Sequence, residues 1–412
     1  MKPDTIKVMT LSEELQWRGF WAQSTFDDAK KVDSEPLTFY WGVDPSSDSM
    51  TIGNLAAAIM ALHFIRAGHR AILLAGGATG MAGGDPDGKD ETRAKMSEET
   101  INHNVEGIKS QFERIFAGEK ITIVNNYDWF RDVNYIDFLR DIGWHFSMTQ
   151  LLDRDFVQQR IGEGGKGINY AEFSYSLIQG YDFLHLYRTH GVTLQLCGVD
   201  QWGNSVNGMQ MTRKLENARV DVLGMPLIIN KSTGKKFGKS EDGAVWLDAK
   251  KTSPYKFYQF WLNVDDAGVI DYMKIYTMLD RNTIEAAAAD HEQNPGARSA
   301  QKILAREVTK IVHGPEVAAS VEHVTDVLFS ESLSDLTDQE IEILAQEIPT
   351  ASTGKTVVQV LVESESAKSN SEANRLIQQN AISVNGEKIA DDMKITEKSL
   401  VKKGKNQFVL VK

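Results

Sequence analysis

Short apolar runs alternate with longer helical patterns along the first half of the chain. The runs "LTFYWGV" (37–43), "AILLAGG" (71–77) and "VTLQLCGV" (192–199) are typical of buried strands, and "LAAAIMALHFIRAG" (55–68) is typical of a helix. Two apolar strands joined by such a helix form a parallel βαβ unit. The alternation continues through "KITIVNNY" and "YAEFSYSLIQGYDFLHLY", and it predicts a Rossmann-like, doubly wound α/β domain over about residues 36–229.

The second half of the chain has a different pattern. Helical periodicity dominates from Ser253 to about Phe329, and an acidic, serine-rich stretch follows. In the tail, Asn-Gly between two β-rich runs in "AISVNGEKI" predicts a hairpin. We therefore predict four segments: a Rossmann-like parallel-sheet domain with an N-terminal helix at 1–232, a mobile loop and an α-helical domain at 233–330, a linker at 331–352, and a small α+β domain at 353–412.

Composition and charge narrow the class of protein. The 412 residues are too many for one ordinary core. The net charge of −12 argues against a protein that coats nucleic acid or anionic membranes, although residues 351–412 carry +3 and the remainder −15. The single cysteine, Cys197, excludes an intrachain disulfide and a cysteine-based zinc cluster. No run of about eighteen apolar residues occurs, so we expect no membrane partner and a cytoplasmic location.

The glycine-rich stretch "GGDPDGKD" (83–90) nearly matches a phosphate-binding P-loop. Asp90 stands where that motif needs a hydroxyl group, and Asp85 and Asp87 bring negative charge to a loop that should surround phosphates. These differences exclude a P-loop. The glycines still indicate that backbone approaches a ligand closely at the carboxyl edge of the sheet, where such domains bind their ligands.

One face of the predicted helix at 170–187 is polar although most of its other positions are apolar. Tyr175, Gln179 and Asp182 are spaced i, i+4, i+7 and therefore share this face. A solvated face usually carries Lys, Glu or Arg, whereas this one carries a phenol, an amide and a short carboxylate. Burying such groups without hydrogen-bond partners is costly. This polar stripe of Tyr175, Gln179 and Asp182 therefore predicts a helix that lines a polar cavity.

Two further patterns suit the binding of a nucleotide. "YWGVD" and "LCGVDQWGN" each place an Asp just past a strand, where its carboxylate can accept hydrogen bonds from ribose hydroxyls. "STGKKFGKSEDG" places Lys235, Lys236 and Lys239 in a glycine-rich segment. Lysines in such a segment are either simply solvated or part of a lid that closes over phosphates.

Five motifs of the chain occur in the order found in bacterial tyrosyl-tRNA synthetases, which are class I aminoacyl-tRNA synthetases. They are "YWGVDPSSDSMTIGN", "GGATG…GDPDGK", "YSLIQGYD", "GVDQWGN" and "KFGKS". The chain resembles that family over nearly its whole length. The tail is similar to the S4-like RNA-binding domain of those enzymes. The resemblance implies that L-tyrosine is activated with ATP to tyrosyl-adenylate plus pyrophosphate, and that tyrosyl then passes to the 3′ end of tRNA(Tyr). It also implies ATP as a substrate with Mg²⁺, no bound prosthetic group, and a homodimer.

The resemblance assigns roles to individual residues. Tyr40 and Asp182 would bind the substrate phenol, and phenylalanine would be rejected because it leaves both groups unpaired. The residues expected to bind tyrosine are Tyr40, Asp85, Tyr175, Gln179, Asp182 and Gln195. Those expected to bind ATP are Gly42, Asp44, Gly53, Gly198, Asp200, Lys89 and Lys239. Those expected to act in catalysis are Thr51, Asn54, Gln201, Lys236, Lys239 and Ser240, and no residue is predicted to ligate a metal ion.

The nucleotide signature of the family, His-Ile-Gly-His, is Thr51-Ile52-Gly53-Asn54 in this chain. Tryptophanyl enzymes often have the same replacement, and Thr and Asn remain hydrogen-bond donors at a helix N-terminus whose dipole attracts phosphate. Two alternatives therefore stay open: a tryptophanyl-tRNA synthetase, and a catalytically inactive paralogue that binds RNA through residues 351–412. In that tail, Lys402, Lys403 and Lys405 are candidates for contacts with tRNA phosphates.

Overall fold

The structure is a computed structural model that describes residues 9–84, 95–152, 155–165, 167–240, 243–331, 333–404 and 407–412. The α-helices are α1 (Leu11–Arg18), α2 (Lys31–Ser34), α3 (Ile52–Arg66), α4 (Gly77–Met81), α5 (Glu98–Ile115), α6 (Tyr127–Phe130), α7 (Tyr135–Asp141), α8 (Met148–Leu152), α9 (Asp155–Ile161), α10 (Tyr170–His190), α11 (Trp202–Glu216), α12 (Pro254–Leu262), α13 (Val269–Tyr276), α14 (Arg281–Gln293), α15 (Ser299–His313), α16 (Pro315–Ser330), α17 (Asp338–Glu347), α18 (Val357–Glu363) and α19 (Asn370–Gln378). The strands are β1 (Gln23–Ser24), β2 (Thr38–Val43), β3 (Arg70–Ala75), β4 (Ile121–Asn125), β5 (Leu194–Gly198), β6 (Asp221–Met225), β7 (Lys239–Ser240), β8 (Gly243–Ala244), β9 (Thr350–Ala351), β10 (Ile382–Val384), β11 (Glu387–Lys388), β12 (Ser399–Lys403) and β13 (Gln407–Val411).

The large sheet has the strand order β1-β6-β5-β2-β3-β4. Every neighbouring pair from β6 to β4 is parallel, and β1 joins the edge antiparallel to β6. From β2 the chain first runs outward through β3 and β4, and it later returns to the other side of β2 as β5. The strand order therefore reverses between β2 and β5, and the crevice above such a reversal is the usual ligand site of a doubly wound sheet. The predicted fold class is confirmed.

Two helices pack beside this reversal, and both have clear start signals. Helix α3 begins after Thr51 and is apolar around most of its circumference, so that it is almost entirely buried. Helix α10 begins with a capping box between Asn169 and Glu172. It ends at Gly191, which has φ +67° and can take this left-handed conformation without steric cost.

Helices α10 and α11 cross at two glycines. A Cβ atom built on Gly208 would lie 3.0 Å from Cα of Gly180, and one built on Gly180 would lie 2.8 Å from the Phe146 ring. Neither position has room for a side chain without a shift of its neighbours. This crossing fixes the polar face of α10 relative to α11.

The described chain divides into two compact units. The first comprises the residues up to Thr252 together with Val264–Ala300, and the second comprises Ser253–Asn263 together with Gln301–Lys412. The division differs from the four predicted segments, whose boundaries stay predictions. None of the helices in the described residues is long and apolar enough to cross a membrane.

The second unit combines helices with a small sheet of strand order β11-β10-β12-β13-β9. The predicted hairpin is present as β10 and β11, joined by Asn385 and Gly386. Both residues have positive φ, 49° and 84°, as a two-residue turn between twisted strands requires. The core beneath this sheet includes Val357, Leu361 and Val401, all fully buried.

Candidate active site

A cavity of ≈490 Å³ opens beside the reversal between β2 and β5. Most of the predicted site residues line it: Tyr40, Gly42, Asp44, Thr51, Gly53, Asn54, Tyr175, Gln179, Asp182, Gln195, Gly198, Asp200, Gln201 and Lys236. Asp85 and Lys89 lie outside the described residues. Lys239 and Ser240 form β7, and their side chains lie outside the described part of the structure.

Asp182 is a buried carboxylate held by two donors. Asn126 Nδ2 donates to its Oδ2 and Trp129 Nε1 donates to its Oδ1, each at 3.1 Å. Burial raises the pKa of Asp182 well above its ordinary value, and the negative charge of Asp44 adds to this effect, whereas the two donors oppose it. The two donors satisfy one lone pair on each carboxylate oxygen and leave acceptor capacity for a ligand.

The hydroxyl of Tyr40 is the second polar group in this part of the cavity. It is buried and has no hydrogen-bond partner among the described residues. Burial, followed by the nearby charges of Asp182 and Cys197, raises the pKa of Tyr40 well above its ordinary value, so its proton is available for donation. A buried hydroxyl without a partner is costly, and a ligand that pairs with it removes that cost.

Asp44, just past β2, is held in place by hydroxyl groups from two other elements. Thr79 Oγ1 donates to Oδ1 at 2.7 Å, and Tyr175 Oη donates to Oδ2 at 2.8 Å. Because the single proton of the Tyr175 hydroxyl is committed to Asp44, this oxygen can act toward any other group only as an acceptor. The Oε1 atoms of Gln179 and Gln195 are also buried, without a partner in the described part of the chain. Acceptors therefore dominate this region, as the binding of a cation such as an ammonium group requires.

The "TIGN" stretch forms the start of α3 at the cavity mouth. Asn54 Oδ1 accepts hydrogen bonds from the backbone N–H of Thr51 at 3.0 Å and from its hydroxyl at 3.2 Å. The two side chains thus fix one another and the first turn of the helix. Thr51, Gly53 and Asn54 all line the cavity, where the positive end of the helix dipole favours an anion.

Residues 231–240, which we call the lysine loop, border the same cavity. Lys236 and Phe237 line it, and Lys236 Nζ lies 3.7 Å from Asp200 Oδ2. The pair is largely exposed and therefore weak, so an incoming ligand can separate it at little cost. The loop is joined to the start of α3 through Val245, whose N–H donates to Gly238 O at 3.2 Å and whose O accepts from Ile52 N at 3.1 Å.

Two of the three tail lysines predicted to contact tRNA phosphates have partners within the second unit. Lys402 Nζ donates to Glu331 Oε1 at 2.5 Å, and Lys403 Nζ donates to the carbonyl oxygen of Ser366 at 2.7 Å. Lys405 lies outside the described residues. Contacts of Lys402 and Lys403 with phosphates would therefore compete with these intramolecular contacts.

Sequence reasoning missed several residues of the site. Asn126 directly follows β4, so the rule that ligand-binding groups follow the strands could have identified it. Thr79 lies in the motif "GGATG" (76–80), but its hydrogen bond to Asp44 has no signal in the sequence. Trp129 and Trp246 also have no local signal, because each reaches the site through tertiary packing.

Two family models match the chain. The model described as tRNA synthetases class I (W and Y) matches residues 32–330, and the model described as tyrosine–tRNA ligase SYY-like C-terminal domain matches residues 340–412. A curated tyrosine–tRNA ligase of Yersinia pestis (strain Pestoides F) is 43% identical over 97% of this chain and 98% of that protein. The chain belongs to the tyrosine–tRNA ligase family. The family resemblance of the five motifs is thereby confirmed.

Other relatives agree with this assignment. A protein named tyrosine–tRNA ligase 2, of Bacillus cereus, is 41% identical over 98% of this chain and 99% of its own length. The crystal structure of a C-terminally truncated mitochondrial tyrosyl-tRNA synthetase of Aspergillus nidulans has a TM-score of 0.70 and 26% identity, covering 78% of this chain and 94% of that chain. A tryptophan-bound tryptophanyl-tRNA synthetase of Encephalitozoon cuniculi has a TM-score of 0.55 at 12% identity and shares the fold alone.

Proposed function

We propose that the protein is a tyrosine–tRNA ligase. It activates L-tyrosine with ATP and then transfers the tyrosyl group to tRNA(Tyr). The observation that carries this proposal is a set of two buried polar groups at the cavity, beside an otherwise apolar cluster. They are the hydroxyl of Tyr40, which has no hydrogen-bond partner among the described residues, and the carboxylate of Asp182. An indole ring offers one donor, whereas a phenol both donates and accepts, and it therefore satisfies an acceptor and a donor together.

We infer the following arrangement for tyrosine. The phenol donates to Asp182 and accepts from Tyr40. The α-ammonium group is held by Tyr175 and Gln179, and Asp85 is the carboxylate that neutralises its charge. Gln195 is proposed to contact tyrosine through its buried Oε1, which lacks a partner within the described part of the chain and suits a donor of the substrate.

ATP occupies the remainder of the cavity in this proposal. The α-phosphate meets backbone at Gly42 and Asp44, and Gly53 at the start of α3 leaves room for a phosphate beside the helix N-terminus. Gly198 and Asp200 bind the ribose. A Cβ atom on Gly198 would lie 2.3 Å from Asp200 Oδ1, so only glycine leaves that carboxylate its position.

The chemistry needs no covalent intermediate with the enzyme. A carboxylate oxygen of tyrosine attacks the α-phosphorus of ATP, the bond to the bridging oxygen breaks, and pyrophosphate leaves with that electron pair. A hydroxyl of the 3′-terminal ribose of tRNA then attacks the activated carbonyl carbon and AMP leaves. Catalysis therefore rests on positioning and on stabilisation of developing phosphate charge.

The charge-stabilising groups belong to two segments in this proposal. Thr51 and Asn54 act from the start of α3, and Gln201 contacts the reacting carboxylate. Lys236, Lys239 and Ser240 grip the pyrophosphate from the lysine loop, and Lys89 assists them.

Mg²⁺ is proposed to reach the site with ATP. Among the residues that the structure describes, no group of three or more His, Cys, Asp or Glu side chains is placed to hold a metal ion. Mg²⁺ commonly keeps several water ligands and binds through substrate phosphates. The phosphate oxygens are therefore its main ligands in this proposal, and the ion partly neutralises their charge.

The tail is proposed to bind tRNA, as its charge of +3 suits a polyanion better than the −15 of the rest of the chain. Exposed basic side chains in it include Lys368, Arg375, Lys388 and Lys394. These side chains, more than the internally paired Lys402, are available to phosphates. We also propose a cytoplasmic location, where tRNA and ATP are both present.

A homodimer is proposed on the basis of exposed apolar side chains in the region 135–170. Trp144 is 82% exposed, Ile136 67%, Tyr170 62% and Met148 58%. Large apolar groups exposed close together along the chain are typical of surfaces that contact another protein. Trp144→Glu is expected to yield monomers in analytical ultracentrifugation, whereas a variant that still sediments as the parent does would contradict this surface.

The proposed activity is tested by ATP–pyrophosphate exchange with tyrosine and with tryptophan, followed by charging of tRNA. We expect exchange with tyrosine and none with tryptophan. The reverse result would identify a tryptophan enzyme. Binding of tRNA without any exchange would identify an inactive paralogue.

A further inference from the structure

The lysine loop is docked on helix α13 by an aromatic stack. The rings of Phe237 and Tyr272 lie 4.2 Å apart at an interplanar angle of 22°, and the ring of Tyr276 is 5.9 Å from Phe237. Phe237 is only 6% exposed, although Lys235 and Lys236, which precede it in the loop, are both exposed. Stacked aromatic pairs contribute more than their buried area alone.

The partner ring has little freedom to move. A Cβ atom built on Gly268 would lie 2.6 Å from the ring of Tyr272, so the ring lies directly against the backbone at the start of α13. The end of α13 is fixed by the buried guanidinium of Arg18, which donates to the carbonyl oxygens of Lys274 and Thr277 at 2.7 and 2.9 Å. Tyr272 is therefore a rigid surface for the loop.

The opposite side of the loop is held against the start of α3. Gly238 has φ +118°, and a Cβ atom there would lie 3.2 Å from Cγ1 of Ile52. The N–H of Phe237 donates to Ile228 O at 2.8 Å, and an ion pair joins Lys231 to Asp271 on α13. Phe237 and Gly238 are thus held between α13 and the start of α3, while Lys236 borders the cavity.

We propose that Tyr272 is a positioning residue for tyrosine activation: its ring holds Phe237 and thereby keeps the lysine loop beside the phosphates of ATP. Tyr272 does not line the cavity and acts through Phe237. The inference rests on the proposed role of Lys236 and Lys239 toward pyrophosphate. It concerns the activation step alone, because pyrophosphate has left before tyrosyl transfer.

The test compares the parent with Tyr272→Ala, Tyr272→Phe and the control Phe116→Ala. The control removes another buried ring of the same unit, that of Phe116, which follows α5 and packs against the ring of Phe112. Adenylate formation is followed in single turnovers. Transfer is measured separately, with enzyme-bound tyrosyl-adenylate isolated after long incubation and then mixed with tRNA. Hydrogen exchange of the amides at 232–247 reports the docking of the loop directly.

We expect Tyr272→Ala to slow adenylate formation roughly ten-fold, since an aromatic stack accounts for up to about that factor. The KM for tyrosine and the rate of transfer stay as in the parent, and the loop amides exchange faster. Tyr272→Phe keeps the ring and restores most of the rate, and Phe116→Ala leaves the loop amides unchanged.

The inference is overturned if Tyr272→Ala frees the loop amides without slowing adenylate formation, if transfer slows to the same extent, or if Phe116→Ala has the same effect on the loop. A parent protein that forms no tyrosyl-adenylate would instead refute the proposed function. Hydrogen exchange separates the two failures, because it measures docking without any substrate.

Discussion

The hydroxyl of Tyr175 on α10 donates a hydrogen bond to Oδ2 of Asp44, just past β2, at 2.8 Å. The contact joins the helix that carries the proposed tyrosine-binding stripe to the strand end that is proposed to meet ATP. It therefore links the two substrate sites through one hydrogen bond to a carboxylate.

Tyr175→Phe is expected to lower kcat/KM for tyrosine activation by roughly ten-fold or more, because a hydrogen bond to a charged group is worth about 1.5–3 kcal/mol. Pyrophosphate exchange at varied tyrosine concentration measures the effect. Tyr181→Phe is the matched control, since it makes the same change on the same helix, where the ring packs against Phe130 and Phe138. Equal losses in both variants would contradict the role of the contact.

Tyr40→Phe is expected to raise stability and lower specificity. The buried hydroxyl has no partner in the described residues, so its removal should increase the free energy of unfolding by about 1 kcal/mol. The same change removes the proposed donor to the substrate phenol, and the preference for tyrosine over phenylalanine should fall roughly ten-fold. Urea unfolding and exchange with both amino acids test the two effects. An unchanged preference would exclude Tyr40 from substrate recognition.

Asp182→Asn is expected to abolish tyrosine activation and to change how stability depends on pH. Burial holds the pKa of Asp182 well above its ordinary value. The folded state therefore binds a proton that the unfolded state releases, and the stability of the parent falls as pH rises from the ordinary pKa through the raised one. As pH rises through this window, the urea midpoint of the variant should increase relative to that of the parent. If the difference between the two urea midpoints did not change with pH, the raised pKa of the buried Asp182 would be contradicted.

Asn54→Ala and Asn54→Asp separate two roles at the start of α3. Alanine removes the acceptor for the N–H and hydroxyl of Thr51 and should cost about 1 kcal/mol. Aspartate keeps an acceptor and suits a helix N-terminus, so stability should be retained. Its negative charge should nevertheless raise the KM for ATP. Thermal unfolding and exchange at varied ATP concentration measure both, and an aspartate variant with the parent's KM would argue against phosphate binding here.

Lys402→Met is expected to destabilise the second unit by about 1–2 kcal/mol, because it leaves the partly buried Glu331 without its cation. Burial raises the pKa of Glu331, but Lys402 and Ser383 outweigh it and hold this pKa below its ordinary value. The stabilisation is therefore present above the ordinary pKa of a glutamate and is lost as pH falls through the lowered one. The double variant with Glu331→Gln should recover much of the loss in urea unfolding. No recovery would show that the pair contributes little.

The sequence predicted those parts of the site that follow a local rule. The stripe of Tyr175, Gln179 and Asp182 depends on helical period alone, and all three residues do line one cavity. The strand ends at Asp44 and Asp200 follow from the rule for parallel sheets. Both rules apply before any tertiary contact is known.

The remaining features of the site depend on distant contacts. The donor Trp129 lies 53 positions from Asp182 in the chain, and its indole meets the carboxylate only through the packing of α6 against neighbouring elements. The stack of Phe237 on Tyr272 likewise joins a loop to a helix beyond it. No periodicity or turn signal encodes which two rings will meet, so the sequence left the loop's anchor unpredicted.

The capping pair at the start of α3 has a consequence for proton uptake. A histidine at either position would change its charge near the ordinary imidazole pKa of about 6.5. Threonine and asparagine do not titrate in this range, so the corner formed by Thr51 and Asn54 keeps a constant charge from mild acid to mild alkali. In this chain the electrostatic attraction of the corner for a phosphate is set by the backbone and the helix dipole, independently of the acidity of the surroundings.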